Sequence, residues 1–171
     1  TELGTKYTPE EVRAIADAAH SQGLRLHLDG ARIANAAASL GAPLRAFTTD
    51  AGVAVLSLGG TKNGAIGAEA IVVLRPEASE ALRYLRKLNM QLVSKQRFSS
   101  AQLIALFEGQ LWRDSAAHAN AMATRLRSRL TDAAATAPLT LTFTQPTESN
   151  AVFARLPAAA AASGEKRRPS G

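Results

Sequence analysis

The sequence contains no cysteine, which excludes disulfides and thiolate metal sites. No stretch approaches the ~20 apolar residues of a membrane-spanning helix. The start, TELGTKYTPEE, is polar and lacks the apolar core of a signal peptide. These absences fit a cytoplasmic protein, and that location is the expectation. Aromatic residues are only 5% of the chain, so stacking platforms for nucleic-acid bases are lacking. No His/Asp/Glu group has metal-ligand spacing, and no metal is expected.

What is present is a 171-residue chain, 46% hydrophobic, with a net charge of +6. The basic residues are scattered. Arg83, Arg86 and Lys87 share one helical pattern, and Arg125, Arg127 and Arg129 share another. Lys166, Arg167 and Arg168 fall in the last stretch. They read as solvated faces rather than a nucleic-acid surface. The first residue is Thr, not Met, and it stands just before a helical pattern. A segment of something longer is therefore expected.

YTPEEVRAIADAAHSQG predicts a helix. Thr8 is placed to cap it, Pro9 fits its first turn, and Glu11 completes a capping box. LRLHLD (24–29) alternates as a strand, with Leu24, Leu26 and Leu28 on one face and Arg25, His27 and Asp29 on the other. ARIANAAASLG predicts a short helix ended by Gly41. VAVLSL (53–58) is apolar enough for a strand buried on both faces. EAIVVLR (69–75) is a third strand. Ten residues, 59–68, join the second strand to the third, and a parallel crossover usually needs a dozen or more. The third strand is therefore expected to be antiparallel in an otherwise parallel sheet. Helices are predicted near 77–93, 99–112 and 114–133, with Leu103, Leu106, Phe107 and Trp112 as core. LTLTFT and NAVFARL then predict strands of a separate small sheet. The composition shift near residue 95 divides the chain into an α/β part (1–95) and a small α+β part (96–157). Residues 158–171 read as a disordered tail.

The chemistry gathers at two strand ends. Asp29 closes the first strand, and Lys62 follows the second inside GGTKNG. Ligand sites in open α/β sheets lie beyond the carboxyl ends of strands. An amine in such a cleft can take a carbonyl cofactor covalently, and a carboxylate can hold a proton on a pyridine nitrogen. A nucleotide P-loop fits poorly, because it needs a hydroxyl after the lysine and Asn63 stands there. Backbone N–H groups of the loop and the hydroxyls of Ser57 and Thr61 suit one phosphate.

LHLDGARIANA followed by LSLGGTKNGAIGAEAIVV resembles the threonine aldolase and β-eliminating lyase group of fold-type-I pyridoxal-phosphate enzymes. YTPEEVRAI and RFSSAQLIAL resemble the same group. The resemblance covers about 1–156, roughly half of a family member. It implies a mixed, mostly parallel sheet in a large cofactor-binding domain, followed by a small domain. By that resemblance Lys62 attaches pyridoxal 5'-phosphate, Asp29 pairs with its pyridine nitrogen, and Thr61 lies near its phosphate. Arg32 matches an arginine that binds the substrate carboxylate. Arg97 matches one near the active site that reaches a neighbouring subunit. The implied activity is cleavage of threonine or related β-hydroxy-α-amino acids to glycine and an aldehyde, by a homodimer or homotetramer at full length. Another β-eliminating lyase, or a truncated chain that binds no cofactor, remains open. Since family sites also draw on an N-terminal half, little activity is expected from these 171 residues alone.

Each site residue also has a plainer reading. Lys62 can simply face solvent. Asp29 can cap a helix. Arg32 can pair with Asp50. His27 can support Asp29 or sit satisfied in the core, while His20 and His118 read as structural.

Overall fold

The computed structural model describes residues 3–78, 81–136 and 140–158. The predicted tail lies outside the described residues except for its first position, Ala158.

Helix α1 (Pro9–Ser21) starts as its sequence dictates. Thr8 Oγ1 accepts from Glu11 N at 3.2 Å, and Glu11 Oε2 accepts from Thr8 N at 2.7 Å. This reciprocal pair satisfies two donors that a helix start otherwise leaves open. Val12 and Ala16 of α1 are buried.

Strand β1 (His27–Gly30) runs parallel to β2 (Val55–Gly59), and β2 runs antiparallel to β3 (Glu69–Val73). The sheet order is β1-β2-β3. The crossover from β1 to β2 holds α2 (Ile33–Leu40) and a short 3-10 turn, Leu44–Phe47. The tight link from β2 to β3 permits only the antiparallel return, as its length implied. β1 is shorter than the alternation suggested. The ladder begins at His27↔Val55, so Leu24 precedes it and stays exposed.

The sheet has one covered face. Leu28, Leu56 and Val72 are aligned across it and pack with Val12 of α1, Ile33 and Ala37 of α2, and Phe47. Full burial of such a side chain is worth roughly 1.5–3 kcal/mol. The opposite face carries His27, Asp29, Val55, Ser57 and Ile71, and Ile71 is 63% exposed. Burial of β2 on both faces, expected from its apolar run, is thus not met. The outer edges of β1 and β3 have no strand partner among the described residues.

After β3 the chain forms α3 (Leu82–Leu88), α4 (Arg97–Phe107) and α5 (Leu111–Thr136). α3 is shorter than expected and buries nothing; Met90, with φ of 55°, stands just past its end. The core runs across the composition shift at residue 95. Leu106 of α4 and Trp112 and Ala116 of α5 belong to the same cluster as Val53 and Leu56. α5 is fixed to α2 by a reciprocal amide pair. Asn35 Nδ2 donates to Asn120 Oδ1 at 3.1 Å, and Asn120 Nδ2 donates to Asn35 O at 2.9 Å. Farther along α5, Arg127 donates to Gln145 O and Thr147 Oγ1 and lies 4.2 Å from the Phe143 ring centroid. A separate two-stranded antiparallel ladder pairs β4 (Thr142–Phe143) with β5 (Ala154–Arg155), as the late strand signals implied.

Candidate active site

Parallel pairing puts the carboxyl ends of β1 and β2 at the same edge of the sheet. Asp29 stands opposite Ser57 and Gly30 opposite Leu58. The two following turns then approach closely, and glycine makes this possible. A Cβ on Gly59 would lie 2.8 Å from Ala31 Cα and 2.9 Å from Ala31 O. A Cβ on Gly60 would collide with Ala68 O. Asp29 lies in β1, next to its last residue, and the turn after β1 carries Arg32. The turn after β2 is a 3-10 segment, Thr61–Asn63, and carries Lys62.

Asp29 is exposed, and its Oδ1 accepts from Ala31 N at 2.9 Å. It does not cap α2, whose N-cap position is Arg32 without a side-chain cap bond. Lys62 is exposed, and no ion pair or hydrogen bond engages its ammonium among the described residues. Arg32 is half-buried and has no ion-pair partner there. Its alternative partner, Asp50, belongs to Arg45 at 2.7 Å, and that guanidinium holds the Asp50 carboxyl below the usual carboxylate range. A cavity of about 60 Å³ opens beside Asp29 and Arg32, lined also by Tyr7, Val12, Leu28 and Phe47.

Ser57 sits within β2, and its Oγ lies 2.9 Å from His27 Nε2. His27 thus engages Ser57 rather than the Asp29 carboxylate. Thr61 is exposed at the lysine turn. Arg97 begins α4, with its guanidinium 4.8 Å from the Phe98 ring centroid. The residues of α4 that reach the lysine loop come later. Gln102 Oε1 accepts from Ile66 N at 2.6 Å, and Leu103 lies against Gly60.

Two neighbours of Lys62 were missed in the sequence. Glu69 Oε1 accepts from Thr61 N at 3.1 Å. The usable signal was the tight β2–β3 link, which pairs Glu69 with Gly59. Asn63 is 5% exposed, and its Nδ2 donates to Trp112 O at 2.9 Å. No local pattern announces a bond to a residue so far along the chain.

The amine and the carboxylate fit pyridoxal phosphate, since both are accessible at one sheet edge and neither is held in an ion pair. The expected cup of backbone donors is a different matter. The N–H groups of Gly60, Thr61, Asn63, Gly64 and Ala65 already bond to Ala68 O, Glu69, Gly60 O, Thr61 O and Gly60 O. The Thr61 hydroxyl and the Lys62 N–H are groups this turn still offers a phosphate. Among the described residues there is no group of three or more His, Cys, Asp or Glu placed to hold a metal, and no helix long and apolar enough to cross a membrane.

The described residues form a mixed α/β sheet with an amine and a carboxylate near adjoining strand ends. The structure superposes on the threonine aldolase of Leishmania major with a TM-score of 0.84 and 28% identity, over 98% of this chain and 47% of that one. Residues 1–158 match the beta-eliminating lyase family, and the chain belongs to that family. It is 42% identical over 156 residues to the low specificity L-threonine aldolase of Pseudomonas sp. (strain NCIMB 10558), and 40% identical to that of Pseudomonas aeruginosa. Each alignment takes in 91% of this chain and 44% of the relative, so the chain spans less than half the length of these proteins.

Proposed function

We propose that this chain carries the lysine and aspartate of a pyridoxal-phosphate-dependent aldolase. The substrates are threonine or related β-hydroxy-α-amino acids, and the products are glycine and an aldehyde. The observation that supports the reading best is the β1–β2 register, which brings the turn after Asp29 against the Lys62 turn through Gly59 and Ala31. When bound, the cofactor supplies an electron sink for the pair released as the Cα–Cβ bond breaks. Lys62 would hold the cofactor through its amine. Asp29 would keep a proton on the pyridine nitrogen by charge. Arg32 would hold the substrate carboxylate and so fix which Cα bond stands free to break. Thr61 and Ser57 would serve the phosphate, and Arg97 would reach the cofactor site of a neighbouring subunit in a homodimer or homotetramer.

In this reading residues 1–95 are part of the cofactor-binding domain. Residues 96–157, with the end of α5 and the β4–β5 ladder, belong to the small α+β domain. The relatives' additional length would supply the ring-stacking group, further phosphate donors and a base for the β-hydroxyl. The chain alone therefore turns over little threonine.

The test is to add pyridoxal phosphate, reduce with borohydride and map the modified peptide. The adduct is expected on Lys62; one on Lys87 or Lys95 instead would overturn the assignment. In the full-length protein, a parallel assay for glycine and acetaldehyde separates aldol cleavage from β-elimination.

A further inference from the structure

We infer that Asn63 is a positioning residue, which sets the orientation of Lys62 by docking the lysine turn onto the start of α5. The inference rests on the reading of Lys62 as the cofactor lysine. Lys62 itself is exposed and has no bond of its own, so nothing at its tip aims it. Its neighbour is the reverse. Asn63 is buried, its amide donates to Trp112 O at 2.9 Å, and its carbonyl accepts from Ser115 Oγ at 3.4 Å. Trp112 is itself a core residue, 7% exposed. The turn therefore hangs from a rigid part of the molecule, one residue from the amine. On its other side Glu69 grips Thr61 N. Lys62 is the only residue of the 3-10 segment whose neighbours on both sides are tethered to distant elements.

The chemistry of the residue matters. The Trp112 carbonyl sits at the start of α5, where the helical pattern already gives it the N–H four residues on, and the asparagine amide adds a second donor at its other lone pair. Aspartate of the same shape would present a carboxylate oxygen to a carbonyl, and alanine would remove the tether. Gly64 follows with φ of 111°, so the chain can turn away at once and leave Lys62 projecting while Asn63 is buried. Attachment of an aldehyde by an amine depends on approach geometry, and small misplacements are costly.

The experiment compares Asn63→Ala with Asn35→Ala in the full-length protein that carries this chain. Asn35 is a buried amide of the same kind that bonds to α5 away from the lysine turn. Pyridoxal phosphate is added, borohydride traps the adduct, and the rate of labelling at Lys62 is read by peptide mapping. Circular dichroism fixes the folded fraction. Asn63→Ala is expected to slow labelling at Lys62 about tenfold per folded molecule, with Asn35→Ala near the unmodified rate. Should Asn63→Ala fail to fold, Ser115→Ala removes the weaker tether, and a smaller drop in labelling is then expected. Equal slowing by Asn35→Ala, or unchanged labelling in both turn variants, would overturn the inference while leaving Lys62 as the cofactor lysine. No labelling of Lys62 in the unmodified chain would sink the underlying reading, and this inference with it.

Discussion

The two faces of the three-stranded sheet are made from alternate residues of the same strands, yet they do opposite work. One face presents Leu28, Leu56 and Val72 to α1 and α2. The other presents His27, Asp29, Ser57 and Ile71 to solvent. A one-residue change of register would exchange them. The covered face thus fixes the pairing, and the pairing places the chemistry. Stability and site geometry are therefore separable by mutation, although they share a backbone.

The sharpest break of that comparison comes at the end of the open face. Lys62→Ala is expected to abolish borohydride-trapped cofactor at this position. Its unfolding free energy should stay within about 0.5 kcal/mol of the unmodified chain, because an exposed, unpaired side chain is lost. Urea titration beside peptide mapping checks both halves.

Leu56→Ala tests the covered face. It should cost about 2–5 kcal/mol, whereas Ile71→Thr, one residue over on the neighbouring strand and 63% exposed, should cost under about 1 kcal/mol. Similar midpoint shifts would mean that the open face is covered in solution.

Asp29→Asn sharpens the chemical side. The amide keeps a hydrogen bond to the ring nitrogen but not the charge. Trapping at Lys62 should persist, while threonine cleavage in an active assembly falls about a hundredfold. Near-normal glycine production would remove Asp29 from its role.

The smallest effect belongs to a pair remote from either contrast. Arg45 holds the Asp50 carboxyl below its usual range. Asp50→Asn should therefore lower the melting temperature slightly at neutral pH. The pair's contribution is present above the unfolded-state carboxyl value of about 3.9. It is lost as pH falls through the lower folded-state value, so the two melting curves should converge in strong acid. A difference that persists there would assign it to something other than the pair.

Much of this could be read from local pattern. Thr8 and Glu11 announced α1, and the residue count between β2 and β3 gave the direction of β3. The placement of Asp29 and Lys62 near two neighbouring strand ends was legible, because the strand signals stop there. What could not be read depends on contacts between distant residues. Asn63 finds its acceptor on α5, and Asn35 pairs with Asn120. The apolar run of β2 implied two covered faces, because composition reports what a strand tolerates and not what lies over it. Leu106, Trp112 and Ala116 joined the sheet's core across a composition shift that resembled a boundary. Ser57 was read for its hydroxyl, and the pairing of β1 with β2 placed His27 against it.

The 26-residue α5 has a mechanical consequence. It is about 39 Å long, and its buried residues Trp112, Ala116 and Ala123 all lie in its first half. The remainder extends about 20 Å beyond that fulcrum and is braced against 145–147 through Arg127. A tilt of about 5° at the fulcrum displaces the far end of such a rod by nearly 2 Å. Motion is thus largest at the far end, beside the β4–β5 ladder, and smallest at the buried start, where the lysine turn is held.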